Sequence, residues 1–133
     1  MITLSEISKE DFKKNFSNYY FEDSPFPYRI FIIYKEYKYE AGLLILEERE
    51  KDFVEMSLTI FEKYQNKILF KSNLLNIINF PFQIGYKKAI TWTKLKSWVK
   101  LLERFQEYGV RKIEKPSSFD NDADKIWFQK ELA

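Results

Sequence analysis

Residues 53–80 read FVEMSLTIFEKYQNKILFKSNLLNIINF, and this stretch decides the fold. Its first third alternates, with Val54, Met56, Leu58 and Ile60 set against Glu55, Ser57 and Thr59. Period two is the pattern of a strand with one buried face, here over residues 53–61. A polar step, residues 62–67, comes next. Phe70, Leu74, Ile77 and Ile78 then recur at i, i+4, i+7 and i+8, which puts them on one face of a helix beginning near Ile68 or Leu69. Pro81 is expected to stop that helix, because proline removes a donor and crowds the preceding turn. A strand running into an amphipathic helix places the chain in the mixed α/β class.

Working outward, RIFIIY at residues 29–34 is β-branched and aromatic and reads as a buried strand. Residues 35–38 form a hairpin turn without glycine. YEAGLLIL at 39–46 is the returning strand, with Gly42 as a bulge position. EEREK at 47–51 reads as a charged turn with a solvated tip. Upstream, residues 2–4 are extended. Ser8 and Asp11 have capping-box spacing, and Phe12, Phe16, Tyr19 and Tyr20 share one side of the helix they open. Ser24-Pro25-Phe26-Pro27 ends it. Downstream, KAITWT at 88–93 is a strand, and Leu95, Trp98, Val99, Leu102 and Phe105 form a second helical stripe, closed by Gly109. A short strand at 110–113, a polar loop at 115–124 and a last strand at 126–132 complete the order β-α-β-β-β-α-β-α-β-β. Residues 1–133 form a single domain, since 133 residues suffice for one core and no linker interrupts them.

Composition excludes several chemistries. The chain has no cysteine and no histidine. Disulfides, thiolate nucleophiles, Cys/His zinc sites and histidine-based triads are therefore ruled out. A net charge of +2 is too balanced to argue for nucleic acid. No apolar run approaches the ~20 residues of a membrane span, and the first residues lack the pattern of a signal peptide. A cytoplasmic protein is expected. Aromatics make up 19% of the chain, so the core should be rich in rings.

The order of elements resembles the GNAT acyltransferase superfamily. The likeness is carried by SLTIFEKYQNKILFKSNLLNII at 57–78 and AITWTKLKSWVKLLERFQEYGVRKI at 89–113. The first is similar to the family's fourth strand, acyl-CoA loop and following helix. The second is similar to the fifth strand, a Leu-rich helix and the closing Gly turn. The short length also resembles GNAT-like proteins of tailed phages, which would place the chain in a host cytoplasm or a virion. The resemblance implies a GNAT-like, mostly antiparallel mixed sheet of about six to seven strands with about three to four helices.

It also implies a site. The family's loop, Arg/Gln-x-x-Gly-x-Gly/Ala, opens a helix whose amides bind the pyrophosphate of coenzyme A, and its glycines let the phosphates come close. The aligned residues are Gln65, Asn66, Lys67, Ile68, Leu69 and Phe70, so Ile68 and Phe70 stand where small residues are expected. Backbone amides around Ile60 and Phe61 would meet the thioester or pantetheine. The family's Asn falls at Trp98, and its Tyr, which protonates the departing thiolate, falls at Phe105, which has no proton to give. Tyr108 is the nearby hydroxyl. Glu55 reads as a general base or as a polar partner on the exposed face of its strand. Ser57 and Thr59 read as water-ordering groups or as the rest of that face. Lys63, Lys67 and Lys71 read as phosphate contacts or as solvated lysines.

Two further clusters bear weighing. Asp120, Asp122, Asp124 and Glu131 match part of a calcium loop, but Lys125 replaces its glycine, and an acidic loop before an edge strand explains them better. Tyr19, Tyr20, Phe21, Phe26, Pro27 and Tyr28 form an aromatic segment, either a partner surface or ordinary packing of the first helix. Loss of both small loop residues together with the Asn and the Tyr favours a degenerate, non-catalytic binding or structural protein. The alternative is an active N-acyltransferase with acetyl-CoA as cofactor.

Overall fold

A computed structural model of the chain describes residues 1–19, 25–68, 70–114 and 124–132, with side chains for all of these but Asn66 and Ile68. Seven strands form one sheet: β1 (Ile2–Ile7), β2 (Tyr28–Lys35), β3 (Tyr39–Glu50), β4 (Phe53–Ile60), β5 (Lys88–Thr93), β6 (Arg111–Ile113) and β7 (Ile126–Glu131). Among the described residues the α-helical segments are α1 (Lys9–Asn15), the single turn α2 (Gln65–Ile68), α3 (Lys71–Gln83) and α4 (Lys96–Glu103). Strand order is β1-β2-β3-β4-β5-β7-β6, and every neighbouring pair is antiparallel except β4 with β5.

Side chains along each strand alternate between the two faces of the sheet, and here both faces are apolar. Tyr28, Ile30, Ile32, Leu43 and Ile45 pack with Phe12 of α1 and with Phe16, the residue that caps its C-terminal end. Phe31, Ile33, Leu44, Leu46 and Val54 face the other way, onto Ile77 of α3. A third cluster joins Leu74 of α3 to Leu102, Phe105, Val110 and Phe128. Ser8 caps α1 by accepting the amide of Asp11 at 3.0 Å, as the spacing predicts.

Several boundaries differ from the sequence reading. The charged run at 47–50 is not a turn but the end of β3, because Tyr28 extends the β2 register to Glu47 and β4 pairs back onto it. Helix α3 begins at Lys71 rather than Ile68 or Leu69, since α2 is a separate turn and Phe70 is extended between them (φ −93°, ψ 161°). Pro81 lies inside α3 instead of stopping it. The stop comes four residues later. Gly85 takes φ 112°, and the amides of Gly85 and Tyr86 donate back to the carbonyls of Phe82 and Pro81, closing the helix end. Strand β7 is interior, between β5 and β6, so the loop before it does not precede an edge strand. The hairpin turn after β2 manages without glycine by putting Glu36 and Tyr37 at φ 52° and 66°. Among the described residues no helix is long and apolar enough to cross a membrane.

Candidate functional site

Strands β4 and β5 pair over only three positions, Phe53–Glu55 against Lys88–Ile90. Beyond Glu55 they part, and the last link is a side-chain bond from Thr91 Oγ1 to the Met56 carbonyl (2.9 Å). A cavity of about 740 Å³ fills the opening. Ser57, Thr59, Ile90 and Trp92 reach it from the α1 face of the sheet. Met56, Leu58 and Ile60 reach it from the opposite face, with Leu74 and Ile78 of α3 and Trp98, Leu102 and Phe105 of α4 and its C-terminal turn. The cavity thus passes through the sheet at the splay.

Backbone polarity there follows from register. The amide of Phe61 donates to the Ala41 carbonyl at 2.9 Å, which makes Ile60 and Gly42 a non-hydrogen-bonded pair. The N–H and C=O of Leu58 and Ile60 therefore point away from β3, toward the gap. Gln65 answers one of these groups: its Nε2 donates to the Ile60 carbonyl at 3.3 Å. Gly42 lies close against β4, and a Cβ there would lie 2.4 Å from the Thr59 carbonyl oxygen. Glycine at 42 is required by this approach.

Of the candidate residues from the sequence, Ser57, Thr59, Ile60 and Gln65 line the cavity. Phe61 turns its ring to Tyr19 (4.7 Å between centroids) and its amide to β3. Asn66, Lys67 and Ile68 lie in α2, Leu69 lies outside the described residues, and Phe70 is exposed at the start of α3. Tyr108 is held outside the cavity, with the Lys71 amino group 5.0 Å from its ring centroid. Lys71 also lies 3.4 Å from Glu107, and its pKa is raised, first by hydrogen bonding to Tyr108 and then by Glu107.

Glu55 lies on the α1 face beside the splay, opposite Glu47 on β3. Arg49 lies between the two carboxylates, 2.7 Å from Glu47 Oε1, out of line for a hydrogen bond, and 3.5 Å from Glu55 Oε1. The side chains of Glu47 and Glu55 are only 10% and 12% exposed. Burial pushes the Glu55 carboxyl above its ordinary range, Arg49 opposes that, and Glu47 adds to it. Arg49 also covers the Phe26 ring at 4.5 Å, and Lys125 covers Trp92 at 4.0 Å. Glu47 and Arg49 escaped the sequence reading because they look like a solvated turn. The signal that could have found them is the pairing of Glu47 with Glu55 once β3 is allowed to run on.

Tyr28 of the aromatic segment is buried against the α1 cluster, while Tyr20 and Phe21 lie outside the described residues. So do Asp120 and Asp122. Among the described residues no group of three or more acidic side chains could hold a metal ion.

No family model and no curated protein matches the sequence. Solved structures do match, over essentially the whole chain. A Klebsiella pneumoniae protein described as an acyl-CoA N-acyltransferase superposes with TM-score 0.69 at 14% identity, covering 100% of this chain and 99% of its own. A GNAT-family acetyltransferase of Staphylococcus aureus gives 0.60 at 13%, covering 100% of each chain. Spermidine/spermine N-acetyltransferase SpeG of Vibrio cholerae gives 0.68 at 15%, covering 98% of this chain and 92% of its own. The chain has the fold of the GNAT acetyltransferases.

Proposed function

We propose that this chain is a ligand-binding domain on the acyltransferase fold that does not itself transfer acyl groups. The observation that carries this is the connection from β4 to α3. It contains no glycine, folds as a 3-10 turn (Glu62–Tyr64) plus the single turn α2, and leaves Phe70 at the cap of α3. A pyrophosphate cradle needs backbone amides that a phosphate can approach, which is the service small residues perform. The positions that would supply the family's Asn and Tyr are Trp98 and Phe105, both apolar walls of the cavity. The cavity itself is open and of ligand size, so binding is the function retained.

A second reading, transfer from acetyl-CoA to an amine, has one observation in its favour. Glu55 is a largely buried carboxyl beside the splay, and burial raises its pKa, which makes its carboxylate a stronger proton acceptor than an exposed one. Two measurements separate the readings. Titration with acetyl-CoA, followed by heat and by melting temperature, is expected to show no shift at millimolar ligand. Release of free CoA thiol in the presence of a panel of primary amines is expected to match the protein-free rate. Turnover that disappears in Glu55→Gln would establish the second reading and end the first.

A further inference from the structure

We propose that the cleft binds an extended peptide segment, which lies in the plane of the sheet against the open edge of β4 and sends alternate side chains to the two faces. This rests on the reading of the chain as a binding domain and adds the class of its ligand.

The open edge is a main-chain surface. Leu58 and Ile60 turn their N–H and C=O groups away from β3, and Gln65 takes the Ile60 carbonyl. The two N–H donors and the Leu58 carbonyl remain on the gap, spaced as the strand spaces them. Strand β5 faces them in the same way. The Leu132 amide donates to the Lys87 carbonyl at 2.8 Å, which makes Lys88 and Glu131 a non-hydrogen-bonded pair. The main-chain groups of Lys88, Ile90 and Trp92 therefore point away from β7, and Trp92 lies past the last residue that pairs with β4. Such an edge is a template for another strand, because an extended chain repeats its own donors and acceptors at the same two-residue interval. A purely apolar ligand would leave these groups unmet.

The walls fit the rest of such a ligand. The cavity, about 740 Å³, passes through the sheet, so side chains projecting to either side of an inserted strand each have a place. On the α3 and α4 side the walls are apolar, from Met56, Leu58, Leu74, Ile78, Leu102 and Phe105. On the α1 side Ser57 and Thr59 offer hydroxyls beside Trp92. Branched apolar side chains suit the first face and small hydroxylic ones the second. The starts of the two helices that wall the cleft favour a peptide over a ligand tethered to a nucleotide. Phe70 and Leu95, the N-terminal caps of α3 and α4, are 54% and 60% exposed. Apolar groups exposed there can meet the side chains of a polypeptide leaving the cleft, and they offer nothing to a polyphosphate.

Titration of the intact protein with acetyl-Thr-Leu-Thr-Leu-Thr-Lys-Lys-amide, followed by calorimetry and by NMR, tests this. The amides of Leu58 and Ile60 should exchange much more slowly once the peptide is bound. A peptide of the same composition with its leucines adjacent, acetyl-Thr-Thr-Thr-Leu-Leu-Lys-Lys-amide, should bind roughly tenfold more weakly or worse, because one leucine is then turned from the apolar wall. N-methylation of the leucines in one analogue and of the threonines in another should abolish binding in at least one of the two, since one alternate set must present its main chain to β4. Absence of binding at millimolar peptide overturns the proposal. So does binding that leaves the Leu58 and Ile60 amides exchanging as before, or that tolerates both methylated sets. Displacement of the peptide by pantetheine or CoA at lower concentration also overturns it, by making the thiol arm the better occupant. If the peptide fails to bind while no CoA thiol is released, the peptide assignment falls and the non-catalytic reading stands. CoA release would end that reading whatever the peptide does.

Discussion

Glu55 is a carboxylate that burial makes costly to ionise, and its neighbour Arg49 offsets only part of that cost. The sign of its effect on stability follows. Its folded-state pKa lies above the unfolded value, so the folded protein holds the proton more tightly. The contribution of the group is therefore most favourable below the unfolded pKa and is lost as pH rises through the folded pKa. Glu55→Gln removes the charge and keeps the shape. Its melting temperature should exceed that of the parent at pH 8, and the difference should shrink as pH falls toward the ordinary carboxylate range. Calorimetric scans of both proteins at several pH values check this, and a gain that grows on acidification would refute it. Glu6 behaves in the opposite sense. Arg29 donates to it twice, at 2.8 and 2.9 Å, and its pKa is lowered by that bonding. Its contribution is present above the unfolded pKa and fades as pH falls through the folded one. Both members of that pair are more than a third exposed, so Glu6→Gln should cost no more than ~1 kcal/mol at neutral pH. Glu55 could be named from the sequence because it stands on the polar phase of a strand that resembles the one supplying a general base in some GNAT members. Its role next to Arg49 could not, because that depends on how far β3 runs, and strand ends carry little local signal.

Strand β4 has one edge fully paired and one edge half free, and its amides should record this. Ser57, Thr59 and Phe61 direct their N–H groups to β3, while Leu58 and Ile60 direct theirs to the gap. Amide exchange followed by NMR should alternate, slow at 57, 59 and 61 and fast at 58 and 60, although Ile60 is a buried residue. Uniform protection along the strand would mean that β5 closes onto β4 in solution. Gly42→Ala is the matching substitution on β3. The added methyl would lie 2.4 Å from the Thr59 carbonyl oxygen, so the two strands must separate. A loss of about 1–3 kcal/mol in denaturant unfolding is expected. Most of these elements were legible, since β-branched and aromatic runs mark β2 and β3, period two marks β4, and the 3.6 period marks α3 and α4. The start of α3 was not, because Phe70 offers no capping oxygen and Ile68 and Leu69 continue the apolar pattern across the break. Pro81 misled for a related reason. Proline inside a helix is usually a stop, but here it occupies the last turn, three residues before the capping Ile84. The cavity itself has no local signature. It exists because β4 and β5 fail to pair beyond Glu55, and an absent pairing leaves no residue pattern.

At the scale of the whole molecule, the sheet is two antiparallel blocks, β1 to β4 and β5-β7-β6, joined by a short parallel seam and by the helices laid across it. The seam also has a history in time. Hairpins β2–β3 and β3–β4 close over a few residues each, whereas Phe53 must find Lys88 across the whole of α3. Closing the longer loop costs more chain entropy, so the first block should gather while the second is still being collected or, in the cell, still being synthesised. Pulse labelling during refolding should find β2 to β4 protected before β5 and β7. The cleft would then be the join between an early-born half of the protein and a late one, left ajar when the two meet.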